Sequence, residues 1–322
     1  MVLFEIKDFP EFSWSYSRHK TWTECVRKYG YEYYFAHNGW LYDAPASTRY
    51  AYRLKKLVNL PVLFGEAVHD IVDHTIQQYV QKGHLPHAEE LEQRVRTRLR
   101  TAFLDSRDRG DEWFQKPNRY TMLFDMYYDG ELPEQGVQEI HERLRMCLQN
   151  FLHSKSFREL TSSRNMKVIE PEKFRSMEVN GVKVYAVMDT IYHDSENDKW
   201  IIVDWKTGKY SSDHIGQIAV YAFYLMEKWN IPIEKIAVRT EYLLTGSCHT
   251  YHLTTRDIQA MIEQMTMSVQ AMKQYQRDRE RNEPVSLEQF QPTSHTFRCQ
   301  RCNYKEMCLD STVSKPLPYE YA

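Results

Sequence analysis

The sequence predicts a mixed α/β fold of the α+β kind, a small mixed sheet flanked by helices, and three observations carry that prediction. Two short β-prone runs, AVMDTI and IIVDWKTGK, stand on either side of the polar turn HDSEND. Long stretches before and after them repeat apolar residues at helical spacing. Glycine and proline are sparse, 11 and 12 among 322 residues, which argues against low-complexity linkers and for a chain that is mostly helical.

The two β-prone runs read as neighbouring antiparallel strands. Successive side chains on a strand alternate faces, so Asp204 and Lys206 point one way and Trp205 the other. Ile201, Ile202 and Val203 are apolar on both faces, the mark of a buried strand, where a charge persists only when paired or bound to metal. With Asp189 opposite on the adjacent strand, two carboxylates, the Trp205 carbonyl and one ammonium converge. Oxygen-rich sites of that kind hold Mg²⁺ or Mn²⁺, which keep several waters and bind phosphate as well. An aspartate and a lysine two apart on a strand are more often a solvated pair, so the buried setting is what favours a site. Further on, Gln217 and Tyr221 stand i, i+4 in QIAVYAFYL and share one helix face.

The helices follow from periodicity. Residues 51 to 80 read as one helix carrying His69, with Pro61 at its start or at a kink. Over about 88 to 105, Leu91, Val95, Leu99, Ala102 and Phe103 form the buried stripe, and Arg94, Arg96, Arg98 and Arg100 form a basic, ordinarily solvated face. A further amphipathic helix runs from Val137 to Phe151 with Cys147 in the core. Ile236 to Leu244 and Cys248 to Leu253 read as a hairpin, followed by a long helix from about Thr255 to Arg281. Near the start, Cys25, Tyr29 and Tyr33 form an i, i+4, i+8 stripe in an aromatic segment. Such a stripe is core more often than a platform, although its interleaved Arg18, Lys20, Arg27 and Lys28 offer a second use in stacking bases. Only the last ten residues read as disordered.

Composition bounds the partners. Lys and Arg total 42 against 44 Asp and Glu, so any nucleic-acid surface is local and not a property of net charge. Residues 1–20 carry no basic segment followed by an apolar one, and the longest apolar run, Ile218 to Met226, is too short to span a bilayer. No membrane partner is expected, and the reading is a cytoplasmic protein. No G-x-x-x-x-G-K-[ST] phosphate loop occurs, so ATP hydrolysis is not expected of this chain alone.

The last landmark is FRCQRCNYKEMC, where Cys299, Cys302 and Cys308 are spaced C-x₂-C-x₅-C. Three clustered cysteines in a reducing compartment bind metal more readily than they form disulfides. A closed thiolate site takes four ligands, and both zinc and a [4Fe–4S] cluster accept four thiolates. His295 is the local candidate for the fourth position and would favour a Cys₃His zinc site.

The order D…DWKTGK followed by QxxxY resembles the RecB-family branch of the PD-(D/E)XK nucleases. That resemblance implies a restriction-endonuclease-like core with Asp189, Asp204, Lys206, Gln217 and Tyr221 as catalytic residues. It adds His69, from GEAVHDIV, to a metal site with Asp189, Asp204 and the Trp205 carbonyl. Position 204 is Asp and not Glu, which the family's name allows. In a subset of the branch, AddB-type subunits and the small nucleases of CRISPR adaptation, one N-terminal and three C-terminal cysteines hold a [4Fe–4S] cluster. The resemblance therefore assigns the fourth cluster ligand to Cys25, with Zn²⁺ as the alternative occupant.

The implied function is a Mg²⁺- or Mn²⁺-dependent, single-strand-preferring DNA exonuclease of repair, recombination or defence, with a helicase or recombination partner for any power stroke. The competing class is a non-catalytic, metal-stapled DNA-binding subunit; a metallohydrolase of some other phosphodiester is a third. The corresponding division of the chain is an N-terminal helical part at 1–74, a helical insertion at 75–165 that could line a channel, the catalytic core at 166–283, and the cysteine segment at 284–322.

Overall fold

A computed structural model describes residues 6–169, 175–211 and 215–309; the expectation for the last ten residues lies outside this range. The chain divides into two compact units. One comprises Ser13–Tyr16 and Val58–Thr266; the other gathers stretches from both chain ends, Met1–Phe12, Ser17–Leu57 and Met267–Ala322, so far as they are described. These limits differ from the fourfold division above.

In the first unit a five-stranded mixed sheet has the order Ser247–Tyr251, Ile236–Tyr242, Lys199–Lys206, Thr190–Asp194, Met166–Ile169. Lys199–Lys206 lies at its centre, antiparallel to Thr190–Asp194 and parallel to Ile236–Tyr242. Ile201 to Trp205 are buried without a break, which is why the run reads as continuously apolar. The parallel partner is reached through the helix Ile215–Trp229, and the predicted hairpin then extends the sheet. In the turn HDSEND, Asp194 Oδ1 accepts the N–H groups of Glu196 (3.1 Å) and Asn197 (3.2 Å), the local bonding for which aspartate is favoured in turns.

The run AVMDTI is not one strand. Val182–Ala186 belongs to a separate three-stranded sheet, where it pairs with Arg175–Val179 through Asn180 and Gly181, both at positive φ, and in parallel with Ser13–Trp14. The chain leaves that sheet at Val187–Asp189 and enters the five-stranded one at Thr190. Asp189 thus stands at the head of a strand.

Helices Leu60–Lys82, Ala88–Asp108 and Glu134–Leu152 share one apolar cluster with the sheet's inner face, and Trp205 meets Phe151 edge-on at 5.4 Å. Helices within 75–165 are therefore continuous with the core of this sheet. On the arginine face of Ala88–Asp108, Arg94 pairs with Glu90, Arg96 with Glu92, and Arg98 with Glu66 and Asp70, the solvated-face reading of that pattern.

Three predicted helices have different limits. The stretch 51–80 is two helices, Ala46–Lys55 and Leu60–Lys82, interrupted by extended Leu57–Val58. Pro61 sits in the first turn of the second, where its missing N–H costs nothing. The helix from Thr255 stops at Met272, because Gln276–Asp278 pairs as a strand with Glu283–Pro284. The aromatic N-terminal stripe breaks at Cys25, whose extended backbone (φ −164°, ψ 113°) separates Tyr16–Glu24 from Val26–Gly30 and a π-helical turn at Tyr31–Phe35. Tyr29, Tyr31 and Tyr34 are buried, so this segment is core and not a stacking platform.

Candidate active site

The register of the sheet builds the site. Thr190 pairs with Val203, so the next step of the antiparallel ladder carries Asp189 towards Asp204. Two positions beyond Asp204 the alternation returns Lys206 to the same face, while Trp205 turns into the core and its indole N–H donates to Thr190 Oγ1 at 3.1 Å. The backbone N–H of Trp205 donates to Asp189 Oδ2 at 2.8 Å. On the helix Leu60–Lys82, His69 brings Nδ1 to 3.1 Å from Asp189 Oδ1. This helix runs close to the strand's end: a Cβ at Gly65 would lie 3.4 Å from Thr207 Oγ1.

Lys206 Nζ donates to Asp204 Oδ1 at 3.0 Å and to Gln217 Oε1 at 3.4 Å. Gln217 Nε2 in turn donates to the hydroxyl of Tyr221, one turn later on the same helix face. Tyr221 is buried, so it reaches Lys206 only through Gln217. Asp189, Asp204, Lys206, Gln217, Tyr221 and His69 thus form one connected array.

The electrostatics divide the two carboxylates. Burial pushes Asp189 up, but the charge and hydrogen bond of His69, the Trp205 N–H and Lys206 outweigh it and hold Asp189 below the usual carboxylate range. Asp204 goes the other way: burial, then the charge of Asp189, lift it to about 6 against the pull of Lys206. Burial would lower His69, yet Asp189 beside it, by charge and hydrogen bond, carries it up to about 9.

Two further residues escaped the sequence reading. Asp73 lies one helical turn after His69, and burial followed by the charge of Asp189 raises it to about 6; its i, i+4 relation to His69 was the available signal. Arg143, on Glu134–Leu152, donates to the Thr207 carbonyl at 3.0 Å and lies over the Phe64 ring at 5.1 Å, tying the end of the Asp204 strand to two helices. Nothing local in the sequence marks it.

Among the described residues, no three His, Cys, Asp or Glu side chains already stand as the shell of one ion. The donor chemistry of the acidic pair nevertheless fits a hard divalent cation. Asp204 Oδ2 is buried and lies 2.9 Å from Lys206 Nζ, but without hydrogen-bond geometry, so its lone pairs are unused. A cation beside two mutually repelling carboxylates would relieve both conditions.

The second unit assembles the cysteines. Cys25, Cys299, Cys302 and Cys308 line one small cavity with Arg27, Lys28, Tyr31 and Tyr304. Tyr31 stacks on Tyr304 at 5.0 Å, and its hydroxyl donates to the Met307 carbonyl at 3.2 Å, packing the two ends of the chain together. Burial, with Cys25 and Cys308 nearby, pushes Cys302 up to about 11, and burial raises Cys308 too. Exposed His295, the rival ligand, is not among the residues lining the cavity. Cys147 is buried in the core and Cys248 stands on the hairpin, as expected of both.

A model of the PD-(D/E)XK nuclease superfamily matches residues 13–309, a span that holds all the residues of both sites. No curated protein matches the chain. Six solved chains match; one, from the crystal structure of SSO0001, is 15% identical, with 76% of this chain and 96% of that one covered and a TM-score of 0.27. No helix among the described residues is long and apolar enough to cross a membrane. With the mixed sheet, the paired aspartates and the lysine two positions on, the match over residues 13–309 establishes that the chain belongs to the PD-(D/E)XK nuclease superfamily.

Proposed function

We propose that this chain is a metal-dependent deoxyribonuclease of the RecB-like branch, a single-strand-preferring exonuclease. The observation that carries the reading is buried Asp204 beside half-buried Asp189, with Lys206 on the same strand face as Asp204. Asp189 and Asp204, with His69 and the Trp205 carbonyl, would hold Mg²⁺ or Mn²⁺, the metals usual in this superfamily. When bound, such a cation polarises a phosphodiester and acidifies a water.

The chain's own residues do the rest. His69 must release its proton to offer a ring nitrogen, and Asp204 ionises above about pH 6, so metal binding favours neutral to alkaline pH. Lys206 stands where it can hand its ammonium from Asp204 to a phosphate oxygen, an electrostatic role. Gln217, braced by Tyr221, limits where that ammonium can swing. Trp205 locks Asp189 from one side with its N–H and anchors the strand from the other with its buried indole.

In the other unit, Cys25, Cys299, Cys302 and Cys308 would hold a [4Fe–4S] cluster, with Zn²⁺ as the alternative. Four thiols around one cavity beside Arg27 and Lys28 support thiolate ligation. Its role is structural, tying the two ends of the chain. Any helicase or recombination partner would supply the power this chain lacks.

The test is cleavage of end-labelled single and double strands with Mg²⁺ or Mn²⁺, comparing the wild type with Asp204→Ala and Lys206→Ala. Cleavage that neither substitution changes would remove the assignment, and binding without any cleavage would leave a DNA-binding subunit. Visible absorbance of anaerobically purified protein decides between cluster and zinc.

A further inference from the structure

The register that places Asp204 and Lys206 also places a strip of aromatic rings beside them. In the parallel ladder Asp204 pairs with Thr240 and Lys206 with Tyr242, so Thr240 and Tyr242 share the catalytic face. In the next, antiparallel ladder, Tyr242 pairs with Ser247, Thr240 with His249 and Val238 with Tyr251, so His249 and Tyr251 share it too. Tyr210, four residues after Lys206, folds over this strip. Its ring lies 5.6 Å from Tyr242 and 5.2 Å from His249, and Tyr242 meets His249 edge-on at 5.5 Å.

The rings differ in exposure in a way that packing alone does not require. Tyr242 is buried and makes the floor; Tyr210 is 56% exposed, and His249 is exposed beside it. Tyr251 and Tyr242 both lie close enough to Asp204 to feel its charge. Lys209, directly before Tyr210, is exposed. Large exposed rings over an aromatic floor, with a cation next to them and a phosphate-binding centre on the same sheet face, match what an unstacked nucleobase and its phosphate require.

We infer that Tyr210 and His249, on the floor of Tyr242 and Tyr251, form a stacking subsite for the nucleobase next to the scissile phosphate of a single strand. The inference rests on the nuclease reading above and gives it a reason for preferring single strands. A base still paired and stacked in a duplex cannot lie on these rings, whereas a free one can.

The experiment is binding of a short single-stranded oligonucleotide carrying one 2-aminopurine, in EDTA, read by anisotropy and by the quenching that stacking produces. Tyr210→Ala and His249→Ala should each weaken binding by about tenfold and diminish the quenching, from a stacking contribution of roughly 1–3 kcal/mol per base. Tyr210→Phe keeps the ring and should keep both signals. Wild-type affinity and quenching in Tyr210→Ala, or a Tyr210→Phe variant as weak as the alanine one, would overturn the subsite. Asp204→Ala should retain the quenching in EDTA and, in a separate cleavage assay with Mg²⁺, should lose cleavage. If it cleaves normally the nuclease assignment falls while the stacking result stands, so the two failures are distinguishable.

Discussion

The acidic centre and the cysteine cavity are both gatherings of potential metal ligands, but they are held in opposite ways. Around Asp189 and Asp204, strand register, a backbone N–H, His69, Lys206 and Gln217 fix every group by hydrogen bonds before any ligand arrives. Around Cys25, Cys299, Cys302 and Cys308, the thiols face a common cavity, and burial pushes the Cys302 and Cys308 thiols up. The first arrangement has already met the cost of bringing like charges together, whereas the second gathers thiols from both ends of the sequence around one cavity. A preorganised centre is suited to chemistry, and a thiol cage to holding distant stretches of chain together.

Substitutions that separate the two roles test this contrast. The largest effect should come from Asp204→Ala or Asp189→Ala, which would lower cleavage by at least ~100-fold, while circular dichroism and the melting temperature show a folded chain. Unfolding of these variants would mean that the acidic array holds the fold, and the contrast would be lost. Next, Cys302→Ser should remove the visible chromophore and several kcal/mol of stability, roughly 10 °C of melting temperature. A Cys302→Ser protein as stable as the wild type, with unchanged absorbance, would show that the cavity holds nothing.

These two tests address the groups most legible in the sequence, for a physical reason. Alternation along IIVDWK, the i, i+4 spacing of Gln217 and Tyr221, and the C-x₂-C-x₅-C spacing are local periodicities, so the residues that share a face can be read directly. What was not legible depends on distant partners. Val182–Ala186 joins a different sheet from Thr190 because Ser13–Trp14 pairs with it from the far end of the chain. The helix at 51–80 breaks because Leu57 and Val58 take extended backbone, and Pro61 then opens a new helix. The rings of Tyr210, Tyr242, His249 and Tyr251 come from a loop and two strands, and only the ladder register aligns them. Arg143 meets Thr207 across 64 residues, with no periodicity to announce it.

A smaller effect sharpens the idea that the acidic centre is held together against its own repulsion. Asp204 has a folded pKa of about 6, above its ordinary value of 3.8. Below the ordinary value both folded and unfolded chains are protonated and nothing is lost. Between there and about 6 the unfolded chain ionises first, so stability falls as pH rises, and above about 6 the full cost is present, on the order of 3 kcal/mol. Asp204→Asn removes this titration. In EDTA its stability relative to the wild type should therefore climb from pH 4 to pH 6 and then level off, as measured by urea midpoints. Added Mg²⁺ should recover stability in the wild type only. His69 works in the opposite sense: its raised pKa stabilises the fold at acidic pH, and that gain is lost as pH rises towards about 9. A flat difference between the two proteins across pH 4 to 6 would mean that neither burial nor the charge of Asp189 raises Asp204.

The smallest expected effect concerns the frame and not the charges. Arg143 contributes one hydrogen bond to the Thr207 carbonyl and one ring contact to Phe64, each worth about 1 kcal/mol. Because Thr207 follows Lys206 directly, loosening it should blur the position of the ammonium without changing which groups are present. Arg143→Ala is therefore expected to lower kcat by less than about tenfold, leave KM for a single strand unchanged, and leave the pH profile intact. Arg143→Lys, which keeps the charge but not the fork that spans both contacts, should recover only part of the loss. If Arg143→Ala instead raises KM and leaves kcat alone, Arg143 touches the substrate, and the frame that holds Lys206 must lie elsewhere.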